Sequence, residues 1–276
     1  MSAEKTLALV LRVVEFSETS SVLSLFTREF GKIRGLAKGA RRPKSPFESA
    51  LDLLGLCRIV FLPKSSETLD LLTEAKLERR FRPAARDLSR LYAGYYVAEL
   101  LNELTHDRDP YPELFDAACD ALRALGSTEF PVAAVVQRFE LNTLRLLGHL
   151  PALDACAGCG VPLPSTARVA FGIAAGGVLC ARCRPGKRQV VSLSAAALAA
   201  MRRLAEAGGS PTMADDSAAV ERATAADAGN VAGGMTEADR FGRRLDGELR
   251  GVLNQYLCYL IGHRPRMHGY LGNLSG

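Results

Sequence analysis

The sequence contains no tryptophan, and Phe, Tyr and Trp together make up 7% of its 276 residues. The largest aromatic surface available to a protein is therefore missing, and no aromatic platform for stacking bases stands out. Phe16, Phe26, Phe30 and Phe61 lie in apolar patterns and are expected in a core. Long apolar runs are missing too. No stretch approaches the roughly 18 residues that a bilayer-spanning helix requires. The opening segment MSAEKTLALVLRVVEF has acidic Glu4 ahead of its apolar part and no small-residue cleavage site after it. It does not have the shape of a signal peptide, and a cytoplasmic protein is expected. Catalytic constellations are also lacking. There is no P-loop and no HExxH, and His106, His149, His263 and His268 are scattered without triad-like partners. A metal-dependent nuclease would need clustered carboxylates, for which Asp215 and Asp216 are poor candidates. The expectation is a protein that is not an enzyme.

Positive charge is present and unevenly spread. Arg28–Lys44 holds seven basic residues (Arg28, Lys32, Arg34, Lys38, Arg41, Arg42 and Lys44) against Glu29 alone, while the whole chain nets only +5. A second run, Lys76–Arg90, holds six, including Arg79 and Arg80, against Glu78 and Asp87. Clusters of this kind suit a polyanion better than a small metabolite, because each phosphate neutralised releases counterions without any base being read. Arg28, Lys32, Arg34, Lys38, Arg41, Arg42, Lys44, Arg79 and Arg80 are the candidate contacts to such a polyanion. A solvated face that serves only solubility is the competing reading.

Residues 1–80 have the alternation of strands. Leu7, Leu9, Leu11 and Val13 form one set, Val22 to Phe26 a second and Ile33 to Ala37 a third. Leu54 to Leu62 and Leu69 to Leu72 supply two more. Five short strands punctuated by Gly and Pro suit a small barrel, such as an OB-fold, though an SH3-like barrel fits the same periodicity. Residues 81–150 read as a helical domain. Leu88, Leu91, Tyr92 and Tyr95 recur at helical spacing, a second helix covers about 113–125, and a third begins at Pro131 and ends before Gly148. Residues 151–192 are irregular. In 193–276, Ser192 or Ser194 caps one helix, and a final helix follows from about Glu237. Between them, 206–236 is rich in Ala, Gly, Asp and Ser and is expected to be a flexible insertion. The fold class expected is α+β, a small β-barrel followed by helices with an inserted zinc ribbon-like region.

The most specific pattern is Cys156-Ala-Gly-Cys159, twenty intervening residues, and Cys180-Ala-Arg-Cys183. Two CxxC knuckles provide four thiolates, the preferred set for tetrahedral structural zinc. Val169, Phe171 and Ile173, then Gly176-Gly177, then Val178 and Leu179 read as a hairpin that returns the second knuckle to the first. A closed shell of four sulfurs leaves no open position for hydrolysis, so the expected role of Zn²⁺ is stability. The remaining cysteines, Cys57, Cys119 and Cys258, sit in apolar surroundings and are expected to be small core residues.

Several segments together resemble the RecO family. They are Phe16–Lys32 followed by Lys38-Gly-Ala-Arg-Arg-Pro-Lys-Ser45, then Leu88–Leu100 with Pro112-Glu-Leu-Phe115, then Leu146-Leu-Gly-His-Leu-Pro151 leading into Cys156-Ala-Gly-Cys-Gly160. The resemblance covers about residues 1–205 in order, and the 206–236 insertion departs from it. It implies an N-terminal OB-fold, a helical domain and a zinc-containing region. It further implies binding of single- and double-stranded DNA, annealing of complementary strands, and cooperation with RecR in helping RecA displace single-strand binding protein (SSB). The acidic SSB C-terminal tail is an implied partner, and RecF is a further candidate. Such a protein would be cytoplasmic and join the nucleoid during repair. From another class, a zinc-ribbon RNA-binding or ribosome-associated module would use the same charges and cysteines.

Overall fold

The computed structural model describes residues 2–42, 44–47, 50–64, 68–163, 167–206 and 237–273. The expected flexible insertion at 206–236 lies outside them apart from Glu206. The chain divides into two compact units, one running to Val132 and including the segment from Pro265, the other spanning Ala133–Arg264.

In the first unit, five strands close into a barrel: β1 (Glu4–Glu15), β2 (Ser21–Thr27), β3 (Gly31–Ala37), β4 (Leu56–Leu62) and β5 (Asp70–Arg79), in the order β1-β2-β3-β5-β4. This is the OB-like arrangement. β1 is long enough to serve two neighbours. Its first half pairs with β4 from Glu4↔Phe61 to Leu9↔Leu56, and its second half pairs with β2, with a register shift between Val10 and Arg12. The extra residue bends the strand and lets one segment turn a barrel corner. The closing seam is short and parallel, Gly35↔Asp70, Leu36↔Leu71 and Ala37↔Leu72.

Ala8, Val10, Leu23, Leu25, Ile33, Cys57, Ile59, Phe61 and Leu72 are buried together. On β1 the barrel core thus takes Ala8 and Val10 rather than the set Leu7, Leu9, Leu11 and Val13, of which Leu7 is half-buried and Val13 is 40% exposed. Phe47 and Ala50, from the irregular connection between β3 and β4, plug the same core. Cys57 is fully buried, and burial pushes its thiol up to about 12, as burial pushes that of Cys119 to about 11. Both are core thiols.

A 3-10 turn (Ala84–Arg86) leads into α1 (Leu88–Leu104), where Asp87 accepts the N–H of Ser89 as the cap. Here the expected apolar face is corrected. Leu88 is exposed and Leu91, Tyr92 and Tyr95 are half-buried, while Ala93, Gly94, Tyr96, Val97, Ala98, Leu100 and Leu101 are buried. The helix is packed on most sides, so no single stripe marks its contact face. A Cβ on Gly94 would come within 2.7 Å of the Phe81 ring. α2 (Pro112–Leu125) buries Leu114, Phe115, Ala118 and Leu122. A final 3-10 segment (Arg266–Asn273) lies along α1, with Glu99 accepting the N–H groups of Arg266 and Met267 and Tyr92 against Tyr270.

The second unit holds α3 (Val132–Leu146) beyond its first residue, and Gly148 follows with φ 75°. A three-stranded sheet has the order β7-β6-β8, with β6 Arg168–Gly172, β7 Gly177–Leu179 and β8 Val190–Ser194. α4 (Ala195–Glu206) is capped by Ser194, whose Oγ accepts the N–H of Ala197 and donates to Glu248. α5 (Glu237–Ile261) buries Leu249, Val252, Leu253, Tyr256 and Leu257.

Candidate nucleic-acid interface and cysteine cluster

β3 separates the basic run that is continuous in sequence. Its seven residues, at about 3.3 Å per residue, put its two ends roughly 20 Å apart. At the Gly31 end, the cations are spent on the helices of the same unit. Lys32 is 9% exposed, and its ammonium donates to the carbonyl oxygens of Asn102 and Thr105 at 2.6 and 2.7 Å, with Asp107 at 3.7 Å. Burial pulls its pKa below the usual lysine value, and Asp107 opposes this. Arg28 makes a two-toothed contact with Asp116 at 3.0 and 2.9 Å, which raises its pKa. Lys32 is thus a buried structural cation and is not presented to a phosphate.

At the Ala37 end the picture reverses. The loop after β3 is pinned to the β1–β2 turn, with Arg41 N–H on Thr19 O at 3.1 Å and Gly39 N–H on Ser20 Oγ at 3.4 Å. Lys38, Arg42 and Lys44 are exposed and make no ion pair with another described residue. Arg41 is exposed but sits 2.8 Å from Glu15, and Arg34, partway along β3, sits 3.1 Å from Asp107.

Sequence reasoning missed three residues on this surface, Arg12, Val14 and Phe16. Arg12 on β1 lies opposite Ser24, which lies opposite Arg34, so the three form a row across the outer face. Val14, Val22 and Leu36 form the next row by the same register. The alternation carries on to Phe16, which is 65% exposed at the hairpin end. Phe16 is therefore not the core residue expected, whereas Phe26 and Phe61 are fully buried and Phe30 packs edge-on against Phe61 at 5.4 Å. Parity alone misleads here, because Ala8 and Val10 point inward and only the register shift between Val10 and Arg12 turns Arg12 and Val14 outward; the signal available was the arginine itself. Arg12, Val14 and Phe16 share a face, and an arginine on that face marks it as the outer one.

The second basic run is divided: Lys76, Arg82 and Arg86 are exposed and make no ion pair with another described residue, and the other three serve the fold or a surface pair. Arg79 is half-buried and donates to Cys119 O at 3.1 Å, and Arg80 pairs with Asp52 at 3.0 Å. Arg90 is buried against the carbonyls of Ser127 and Phe130.

In the second unit, the four cysteines converge. The Sγ atoms of Cys156, Cys159, Cys180 and Cys183 lie within 4.8 Å of one another, and those of Cys159 and Cys180 are 3.7 Å apart. The sheet brings them together. The chain at Ala152 runs beside β7, with Ala152 N–H on Gly176 O and Val178 N–H on Ala152 O, both at 2.9 Å, and Ala157 N–H then reaches Val178 O. A Cβ on Gly177 would lie 2.4 Å from Ala152 O, so only glycine allows this approach. The first knuckle closes with Gly160 N–H on Cys156 O, and Gly160 takes φ 72°, a region glycine enters without penalty. The second closes with Cys183 N–H on Cys180 O at 3.1 Å.

This geometry fits a metal. A tetrahedron with sulfur bonds of about 2.3 Å has sulfur–sulfur edges of about 3.8 Å, close to the 3.7 Å found, whereas a disulfide would bring two sulfurs to about 2.05 Å. Cys156 Sγ also accepts backbone N–H groups from Cys180 at 3.3 Å and Gly158 at 3.4 Å. These donors pull its thiol down to about 6, with the Cys180 N–H contributing most. Cys183, hydrogen-bonded with Cys159, Cys180 and Cys156, is pushed the other way, up to about 12, so it is the gathering of four sulfurs rather than the acidity of one that suits a soft or borderline divalent cation. Among the described residues no other group of histidine, cysteine or carboxylate side chains gathers in this way.

Comparison with known proteins decides the family. The model described as Recombination protein O N terminal matches residues 1–81, and that described as Recombination protein O C terminal matches residues 85–222. The chain belongs to the RecO family. The DNA repair protein RecO of Rhodopirellula baltica is 45% identical over 270 residues, covering 96% of this chain and 97% of that one. Those of Anaeromyxobacter dehalogenans and Moorella thermoacetica are 38% and 35% identical, covering 75% and 67% of this chain and 81% and 68% of theirs. As a RecO-family chain it is a DNA repair protein with an OB-like barrel and a cysteine cluster suited to a metal ion. Among its described residues no helix is long and apolar enough to cross a membrane.

Proposed function

We propose that this chain is a non-enzymatic recombination mediator that binds DNA across the outer face of β1, β2 and β3. In this reading it binds single- and double-stranded DNA, anneals complementary strands, and with RecR helps RecA displace SSB. The acidic SSB tail is one partner and RecF a further candidate. Zn²⁺, held by Cys156, Cys159, Cys180 and Cys183, is its structural ion.

The observation that carries the DNA reading is the surface at the Ala37 end of the barrel. There Arg12, Lys38 and Arg42 are exposed without a described ion-pair partner, beside exposed Val14 and Phe16. Cations of this kind attract phosphates, and an apolar strip beside them gives unstacked bases a place to lie. Arg34 and Arg41 can join by exchanging a surface carboxylate for a phosphate, a small cost for exposed pairs. Lys32 takes no part, Arg28 and Arg79 contribute little because Asp116 and Cys119 O hold them, and Arg80 can join only by exchanging Asp52 in the same way.

The test is the salt dependence of binding to a labelled oligothymidylate in the full chain. Replacing Arg12, Lys38 and Arg42 by Ala is expected to lower the slope of log K against log salt by about 2, at about 0.7 for each single-strand phosphate no longer neutralised. An unchanged slope would place the strand elsewhere.

A further inference from the structure

The cysteine region carries a second excess of charge. Between Asp154 and Glu206 the sequence has no carboxylate, while it has Arg168, Arg182, Arg184, Lys187, Arg188, Arg202 and Arg203. Two of these are spoken for within the same unit. Arg168 lies 3.2 Å from Glu248, and Arg202 lies 2.8 Å from Asp154. Arg182, Arg184, Lys187 and Arg188 are all exposed, and none makes an ion pair with another described residue. They sit on the second knuckle and the turn after it. That segment is folded tightly by Arg184 N–H on Cys180 O at 3.0 Å and Lys187 N–H on Arg184 O at 3.2 Å. Four cations are thus crowded onto a short, hydrogen-bonded loop, although their mutual repulsion opposes that arrangement.

A bland explanation is available and is insufficient. Four thiolates around a divalent ion carry a formal charge of about −2, which nearby cations offset. The seven cations of this stretch exceed that charge together with the carboxylates of Asp154 and Glu248. A membrane surface is a poor match, because no large apolar side chain of the described 180–189 segment is exposed for insertion. Three of the four are arginines, whose planar guanidinium suits phosphate oxygens in pairs.

We propose that Arg182, Arg184, Lys187 and Arg188 form a second phosphate-backbone site for nucleic acid, in a different unit from the barrel face. The inference rests on the DNA-binding reading of the chain and deepens it, because a protein with two independent backbone sites can hold two strands at once. Holding and neutralising two backbones is what annealing requires, since their like charges otherwise keep the strands apart.

The test uses the full-length protein in three forms: unaltered, with Arg182, Arg184, Lys187 and Arg188 changed to Gln, and with Arg12, Lys38 and Arg42 changed to Ala. Two quantities are read: the salt slope for a labelled oligothymidylate, and the capture of a second labelled oligothymidylate by one tethered to beads. Metal content and melting temperature are checked alongside. A companion variant with Arg182, Arg184 and Arg188 changed to Lys keeps the charge and guards against loss of the fold.

The glutamine variant is expected to keep its bound metal, bind one strand through the barrel, and lose most second-strand capture. The lysine variant is expected to retain capture. Capture and slope both unchanged in the glutamine variant would overturn the inference and leave the barrel reading standing. Unchanged binding in the barrel variant, with binding lost in the glutamine variant, would overturn the barrel reading and keep this site. Capture lost in the lysine variant as fully as in the glutamine variant would show that these side chains act through structure rather than charge, and would also overturn the inference.

Discussion

The ammonium of Lys32 lies on the carbonyl oxygens of Asn102 and Thr105, at the end of α1 where helix carbonyls have no partner of their own. Replacing Lys32 by Ala removes a charged donor from two buried acceptors. The expected loss is about 2 kcal/mol of stability, read as a lower denaturation midpoint, with DNA affinity nearly unchanged. A large fall in DNA affinity without a fall in stability would show that Lys32 contacts the strand after all. Phe16 is expected to behave in the opposite way. It is 65% exposed, so its truncation to Ala should leave the melting temperature in place. Single-strand affinity should fall by about 1–3 kcal/mol if a base stacks on it, with a smaller effect on duplex DNA, whose bases remain stacked on one another. Equal losses on both forms of DNA would argue against stacking.

Among the elements, the two knuckles and β7 are the most interdependent, since Ala152, Ala157 and Cys156 each bond to the β7 strand or the cysteine that follows it. Changing Cys156 to Ser is expected to make metal binding substoichiometric by elemental analysis and to lower the melting temperature, because binding and folding free energy are shared at such sites. A variant that keeps full metal and full stability would remove Cys156 from the ligand set. Much of this was legible in the sequence. The hairpin of Val169–Leu179 appears as β6 and β7, and the five alternating sets of residues 1–80 appear as the five barrel strands. What was not legible has physical causes. α1 is packed on most sides, so its stripe pointed to Leu88 and Tyr92 when Ala93, Tyr96 and Val97 are buried. Phe47 and Ala50 enter the barrel core from an irregular connection that has no periodicity to read. The run of charge at 28–44 is one cluster along the chain but belongs to two ends of a strand. The exposed cations of the second knuckle did have a signal, the absence of any carboxylate from 155 to 205, which stands out less than a run of basic residues.

For the whole molecule, the proposed mediator role predicts that the unaltered protein accelerates pairing of complementary strands without a nucleotide cofactor. The measurement is the appearance of duplex from two labelled strands, with and without SSB, as salt is raised. Annealing should decline with salt more steeply than binding of one strand, because two backbones must be neutralised together. Equal salt dependence would point to a single strand being held at a time. The barrel itself imposes an order on how such a chain comes into being. Its closing seam joins Gly35–Ala37 to Asp70–Leu72 through three residue pairs, far fewer than its antiparallel neighbours. Closing a loop of that length costs about 3 kcal/mol of chain entropy, for a short pairing that returns little until the rest of the sheet is in place. On a ribosome, β1, β2 and β3 can assemble while β5 is still inside the exit tunnel. Until Leu72 emerges, β3 presents bare N–H and C=O groups to whatever strand is nearby, including that of another nascent chain. A messenger that slows translation just after codon 72, while Leu72 is still inside the tunnel, would prolong that interval and lower the soluble yield of an unchanged polypeptide.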